Sequence, residues 1–177
     1  MSIRTLGLGL VSTLLAVSAC APSGTGGPAS GPPPRPSAPP PTAPAPSTTV
    51  GEQVVARTNG ARRAAGLAPL GTSAALVHAA ELQTAQIVRV GTLAHDLPGT
   101  TYPSLAARLA AVHYAMRAAG ENIGQGYSAP AEAVAAWMAS SGHRANILSA
   151  SYTEMGAATA RARDGSLVWV QVFGAPR

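Results

Sequence analysis

Lysine is missing from this 177-residue chain, and cysteine occurs once, at Cys20. A single thiol cannot form an intrachain disulfide, so the folded part must be held by packing alone. Charged residues are only 11% of the chain, low for a soluble globule, and all twelve basic residues are arginine. Arg4 and Arg35 aside, the remaining ten arginines and all seven acids lie from Val50 onward, so that part is only mildly basic. The arginines are scattered, Arg62-Arg63 being the densest spot, and aromatics amount to 4%. A nucleic-acid surface needs a basic stripe with interleaved aromatics, so no nucleic-acid partner is expected. No HExxH helix, no Gly-x-Ser-x-Gly elbow and no internal repeat is present. What the chain does have is apolar substance, 46% hydrophobic residues, enough for one core.

The first residues, MSIRTLGLGLVSTLLAVSAC, place Arg4 before an apolar run to Val17 and then small residues. The run is short for a membrane span and reads as a secretory signal over 1–19. Val17-Ser18-Ala19 before Cys20 resembles the lipobox of bacterial lipoproteins, in which the cysteine is lipidated and becomes the new N-terminus. Ordinary signal cleavage after Ala19 is the alternative. Lipidation accounts for a lone thiol in an oxidising compartment, and two or three acyl chains would anchor the protein firmly to a membrane. The expected location is extracytoplasmic, membrane-anchored, facing the periplasm or the cell exterior.

Residues 20–49 hold most of the sixteen prolines and almost no large apolar side chain. They read as a linker, Gly-rich and then polyproline-like. A ligand for proline-recognition domains is the other reading of that composition. The folded domain is expected over 50–177. Thr49-Val50-Gly51-Glu52 fits a capping box opening a first helix, with Val54, Val55, Thr58, Ala61 and Ala65 on one side and Gly66 as its stop. A second helix is expected from Thr72 or Ser73, with Leu76, Ala80, Gln83, Ile87 and Val90 in phase, ending at Gly91. LAHDLPGTTYP reads as a loop, and Leu105, Leu109 and Val112 as a short third helix with Pro103 in its first turn. The glycines of GENIGQGY predict an irregular strand. Ser128 and Pro130 open a fourth helix that turns Val134, Trp137 and Met138 inward. Two strands follow around Asp164-Gly165, a hairpin signal. The last, Leu167 to Phe173, is apolar on both faces except Gln171, so the sheet should be covered on both sides. The expected class is α+β, a three-layer α-β-α sandwich with a small antiparallel sheet.

The segments RTNGARRAAGLAPL, LAHDLPGTTYPSLAARL, AGENIGQG, AVAAWMASSGHRANIL and EMGAATA…LVWVQVFG occur in the order seen in bacterial CAP domains. The chain thus resembles the superfamily of cysteine-rich secretory proteins, venom allergens and pathogenesis-related proteins, over about Val50 to Phe173. The resemblance implies an α-β-α sandwich with a central cleft. By motif position, His95 matches the family's first cleft histidine, Glu121 the first glutamate and His143 the second histidine. Ser140 stands where the second glutamate would be. Family histidines of this cleft can bind a divalent metal such as zinc, and eukaryotic members bind sterols and other lipids.

Read as chemistry, two neutral imidazoles and a carboxylate can make a three-ligand zinc site with an open position. Without metal, the same trio is a hydrogen-bonded cluster that changes state near the histidine pKa. Glu121, beside glycine on a sheet apolar on both faces, needs a partner if buried, either a histidine or a metal. His143 is expected just past a helix end, where an imidazolium can also meet loose carbonyls. Ser140 and Ser141 are read as capping or packing residues rather than nucleophiles. Arg144, Asn146 and Asn122 are read as structural, His78 and His113 as surface or packing residues, and Trp137 and Trp169 as core. Two functions compete: an envelope module binding a lipid, glycan, peptide or divalent metal in a cleft of His95, Glu121 and His143, or an envelope hydrolase using the same three residues. A structural role in the envelope is the third reading. The ligand and the oligomeric state are not legible.

Overall fold

The structure, a computed structural model, describes residues 49–177. The signal segment, Cys20 and the linker up to residue 48 lie outside the described residues. Helix α1 spans Val50–Ala64 and opens with the expected reciprocal box: Thr49 Oγ1 accepts from Glu52 N at 3.2 Å, and Glu52 Oε2 accepts from Thr49 N at 2.6 Å. Its buried stripe is Val54, Val55, Thr58 and Arg62; Ala65 caps the helix and is exposed. Arg62 can be buried because its guanidinium donates to the carbonyls of Ala68, Ile147 and Ser149 at 2.7–2.9 Å. A two-residue strand β1, Gly71–Thr72, precedes helix α2, Ala74–Val90, which starts after Ser73 and stops at left-handed Gly91. Val90, placed on the buried stripe by its spacing, is instead 47% exposed, because the chain turns away at Gly91 directly after it. Helix α3 is Leu105–Ala111, capped by Ser104 Oγ on Ala107 N at 3.2 Å. Pro103 therefore lies before the cap, outside the first turn.

Strand β2 covers Met116–Gln125 and is regular, paired with the last strand residue by residue apart from one shift between Met116 and Ala118. Its glycines answer to close approach rather than irregular backbone. A Cβ on Gly120 would run into the hydroxyl of Tyr152. Helices α4, Pro130–Ala139, and α5, Ser141–Ile147, follow each other through Ser140. The serines and glycine of SSGHR thus begin a new helix, and His143 sits in its first turn. That corrects the expectation of a histidine at a helix C-terminus, so the carbonyl-capping reading falls away.

Strands β3, Glu154–Arg161, and β4, Leu167–Pro176, form the hairpin with Gly165 at φ 86°. The sheet order is β1-β3-β4-β2. β3–β4 and β4–β2 are antiparallel, but β1 runs parallel to β3, so the sheet is mixed rather than wholly antiparallel. The α+β class and the covering on both faces hold. Along central β4, Val168, Val170 and Val172 pack with Leu76, Ile87 and Leu109 of α2 and α3. The alternate residues Trp169 and Phe173 pack with Val54, Trp137 and Ile147 of α1, α4 and α5. This period-two alternation gives each face its own helical layer. Trp137 and Trp169 are both 1% exposed, as expected, and Nε1 of each donates to a carbonyl, of Ile123 and Tyr127 respectively. Helix and sheet lie against each other most intimately at Gly156, where an added Cβ would meet the backbone of Leu76 and Val77.

Candidate functional site

β2 is the outer strand of the sheet, and its successive residues Glu121 and Asn122 face opposite layers. Glu121 pairs in register with Val172 and Asn122 with Gln171. Each holds one histidine-bearing segment. On the α2–α3 side, Glu121 Oε1 accepts from Nδ1 of His95 at 2.9 Å, and Oε2 accepts from Nη2 of Arg108 at 2.7 Å. The Glu121 side chain is 3% exposed and that of Arg108 0%, whereas that of His95 is 54% exposed. The carboxylate therefore stands behind the imidazole, with Nδ1 as the protonated nitrogen and Nε2 the ring atom left free of it.

The loop carrying His95 is pinned from beneath. Gln83 Nε2 of α2 donates to the carbonyls of Ala94 and His95 at 2.7 and 3.1 Å, and Arg108 Nη1 reaches the His95 carbonyl at 3.4 Å. Gln86 exchanges two hydrogen bonds of 3.0 Å with the backbone of Tyr102 farther along the same loop. On the other face, Asn122 Nδ2 donates to the carbonyl of His143 at 3.1 Å and to Gln171 Oε1 at 3.2 Å. Gln171 in turn donates to Thr58 Oγ1 of α1 at 2.6 Å. Asn146 of α5 donates to Asn122 Oδ1 at 2.9 Å and to the Glu121 carbonyl at 3.2 Å. Helix α5, and His143 with it, is thereby tied to Asn122 and to the carbonyl of Glu121, the residue whose side chain holds His95.

The three expected site residues are thus brought together unequally. His95 and Glu121 are in direct contact; His143 is joined through its backbone, and its ring senses His95 through charge. The Glu121 hydrogen bond raises the pKa of His95 above the ordinary 6.5, against an opposing contribution from burial. Burial, and then the charge of His95, lower that of His143. Splitting of this kind separates a proton-holding from a proton-accepting group near neutrality.

The zinc reading meets a different donor set from the one expected. Both oxygens of Glu121 are engaged by His95 and Arg108, and no group of three His, Cys, Asp or Glu side chains among the described residues is arranged to hold a metal ion. Two imidazoles remain, one short of the three protein ligands of an open zinc site. In this arrangement Glu121 orients the His95 ring, and no step is routed through a metal.

The remaining expectations resolve as follows. Asn122 and Asn146 do the structural work assigned to them, while Arg144 is exposed. Ser140 occupies the shared cap position, but its side chain makes no capping bond, and Ser141 is exposed. His78 and His113 are exposed. Arg108 escaped the sequence reading. Its signal was there: an arginine between Leu105 and Leu109 on the apolar stripe of a short helix demands a buried anion. The larger hollows of the domain lie elsewhere. One of about 430 Å³ lies between α1 and α2, and another of about 430 Å³ beside Tyr114 and Met116; His95, Glu121 and His143 line neither.

Comparison with known proteins agrees with this architecture. The family model described as CAP, the cysteine-rich secretory protein family, matches residues 55–173. The uncharacterized protein YkwD of Bacillus subtilis (strain 168) is 34% identical over 122 residues, 69% of this chain and 46% of that protein, so the chain spans less than half the length of this curated relative. A crystal structure of an extracellular protein containing an SCP domain from Bacillus anthracis str. Ames superposes with a TM-score of 0.63 at 27% identity, over 70% of this chain and 39% of the other. An outer surface protein from Borrelia burgdorferi shares the fold, with a TM-score of 0.65 at 18% identity, over 71% of this chain and 92% of the other. With one cysteine in 177 residues despite the family's description, the chain belongs to the CAP, or cysteine-rich secretory protein, family.

Proposed function

We propose that the protein is an extracytoplasmic binding module, tethered to a bacterial envelope membrane through lipidated Cys20, that holds a peptide or glycan segment along the rim formed by His95, Glu121 and His143. The observation that carries this reading is the His95 side chain. It is 54% exposed, yet oriented from behind by a carboxylate that is 3% exposed and itself held by Arg108. A half-exposed imidazole with a fixed protonated nitrogen is a preorganised hydrogen-bonding group, and holding it there lowers the ordering cost of binding. An open rim along a strand edge suits a chain-like ligand better than a small apolar molecule, which would need enclosure. The proline-rich linker supports the tether: polyproline II extends about 3.1 Å per residue, a reach on the order of 60–90 Å from the membrane. Relatives described as extracellular or outer-surface proteins agree with an extracytoplasmic location.

The same oriented imidazole supports a second reading, an envelope peptidase or cell-wall hydrolase with His95 as the proton-holding general acid and His143 as the proton-accepting base. One experiment separates the two. The full chain, His95→Ala and His143→Ala are assayed for turnover of a fluorogenic peptide library and for cosedimentation with purified peptidoglycan. Retention on peptidoglycan without turnover, lost in both variants, is expected. Turnover that disappears with His95→Ala makes it an enzyme, and neither signal removes the cleft as the working site. Cys20→Ala should release the protein from the membrane fraction; an unchanged distribution counts against the lipid anchor.

A further inference from the structure

We propose that Arg108 is the built-in cation of this cleft, and that by taking Glu121 it keeps the His95–Glu121–His143 rim free of a resident divalent metal. The inference rests on that rim being the working site, although its test needs no ligand. Arg108 lies within the fold with no exposure, on the apolar face of α3, and donates from two of its nitrogens toward the site: Nη2 to Glu121 Oε2 at 2.7 Å and Nη1 to the His95 carbonyl at 3.4 Å. Its Nε is the one buried side-chain nitrogen or oxygen among the described residues without a hydrogen-bond partner. Leaving a buried donor unpaired is costly, so the guanidinium is placed for the carboxylate and the loop carbonyl at the expense of its Nε–H.

The consequence for cations follows from charge. The Arg108–Glu121 pair carries no net charge, so a divalent ion arriving at His95 finds no uncompensated anion behind it. The Glu121 oxygens facing the site already accept from His95 and Arg108. The rim is therefore built to present an oriented imidazole, with the guanidinium doing the neutralising that a metal would otherwise do.

Zinc chloride is the probe, titrated calorimetrically into the full chain near pH 7.5. The wild type should show no site tighter than about 100 µM, far weaker than structural protein zinc sites. Arg108→Gln, which leaves the pair with a net charge of −1, should bind zinc at least about tenfold more tightly, and Arg108→Lys, which keeps the cation, should not. A stoichiometric micromolar or tighter site in the wild type that is lost in His95→Ala overturns the proposal. So does a folded Arg108→Gln with no gain. Should Arg108→Gln fail to fold, the wild type decides. The His95 ring resonances, and the Nδ1 proton bonded to Glu121, should be unmoved by equimolar zinc; a shift of Nε2 overturns the proposal. Zinc refusal is read independently of peptidoglycan retention, so either reading can fail without the other.

Discussion

Glu121→Gln is the sharpest perturbation of this structure, because it changes one atom's chemistry and almost no volume. In the native protein Glu121 meets two donors, His95 Nδ1 at 2.9 Å and Arg108 Nη2 at 2.7 Å. An amide has a single acceptor oxygen, so one of the two donors must face an NH2 group. If the oxygen stays with Arg108, the NH2 faces His95 Nδ1, which can keep the bond only by giving up its proton and accepting; if it turns to His95, the guanidinium is left against another donor. Arg108 has no exposure through which water could replace the carboxylate. Removing one partner of a buried pair costs about 3–5 kcal/mol, since the other charge stays buried. That is a large share of a total of about 5–15 kcal/mol for an ordinary domain. At about 3–6 °C per kcal/mol for a domain of this size, the melting temperature should fall by roughly 10–25 °C. The assay is urea and thermal unfolding of the full chain, followed by circular dichroism. The double variant Glu121→Leu with Arg108→Met removes both charges, and most of the lost stability should return. A Glu121→Gln loss below about 1 kcal/mol, or a double variant as unstable as the sum of the singles, would falsify the account of Arg108 and Glu121 as a mutually dependent buried pair.

Three further outcomes are expected. By NMR, His95 should titrate above pH 6.5 and His143 below it, and Glu121→Gln should lower the His95 titration, since its largest raising contribution is gone while burial and Arg108 still lower it and only Asp96 still raises it. The linked stabilities have opposite signs: that from His95 is fully present below pH 6.5 and lost as pH rises through its raised folded pKa, whereas His143 costs stability as pH falls from 6.5 to its lowered folded pKa. Coincident titration of the two rings would count against their being placed as described. Gly156→Ala puts a Cβ into the backbone of Leu76 and Val77, which cannot yield as a side chain could, so little soluble folded protein should be recovered; normal yield and melting would show that α2 does not lie directly on β3. Thr49→Ala removes one half of the capping box and should cost about 1 kcal/mol in a urea melt, with no effect on the His95 titration.

Sequence by itself determined what depends on neighbours along the chain. The capping box at Thr49–Glu52, the Gly91 stop, the Asp164-Gly165 hairpin and the doubly apolar run of β4 are local signals of backbone geometry and burial period, and each appears in the fold. Order and spacing of motifs carried the family and named His95, Glu121 and His143. Local signals misled where a packing partner overrode them. GENIG looked irregular because its glycines were read as freedom, when they make room for the Tyr152 hydroxyl and other side chains against a regular strand. SSGH looked like a helix ending because nothing local distinguishes a stop from two helices meeting at Ser140. Only the tertiary structure could decide which charges compensate one another. Arg108 is thirteen residues from Glu121, on a different element, and becomes its partner because α3 covers the face of β2 on which Glu121 lies. His95 and the segment bearing His143 are held from adjacent positions of one strand because neighbouring residues of a strand point to opposite faces, so Glu121 and Asn122 reach into different layers.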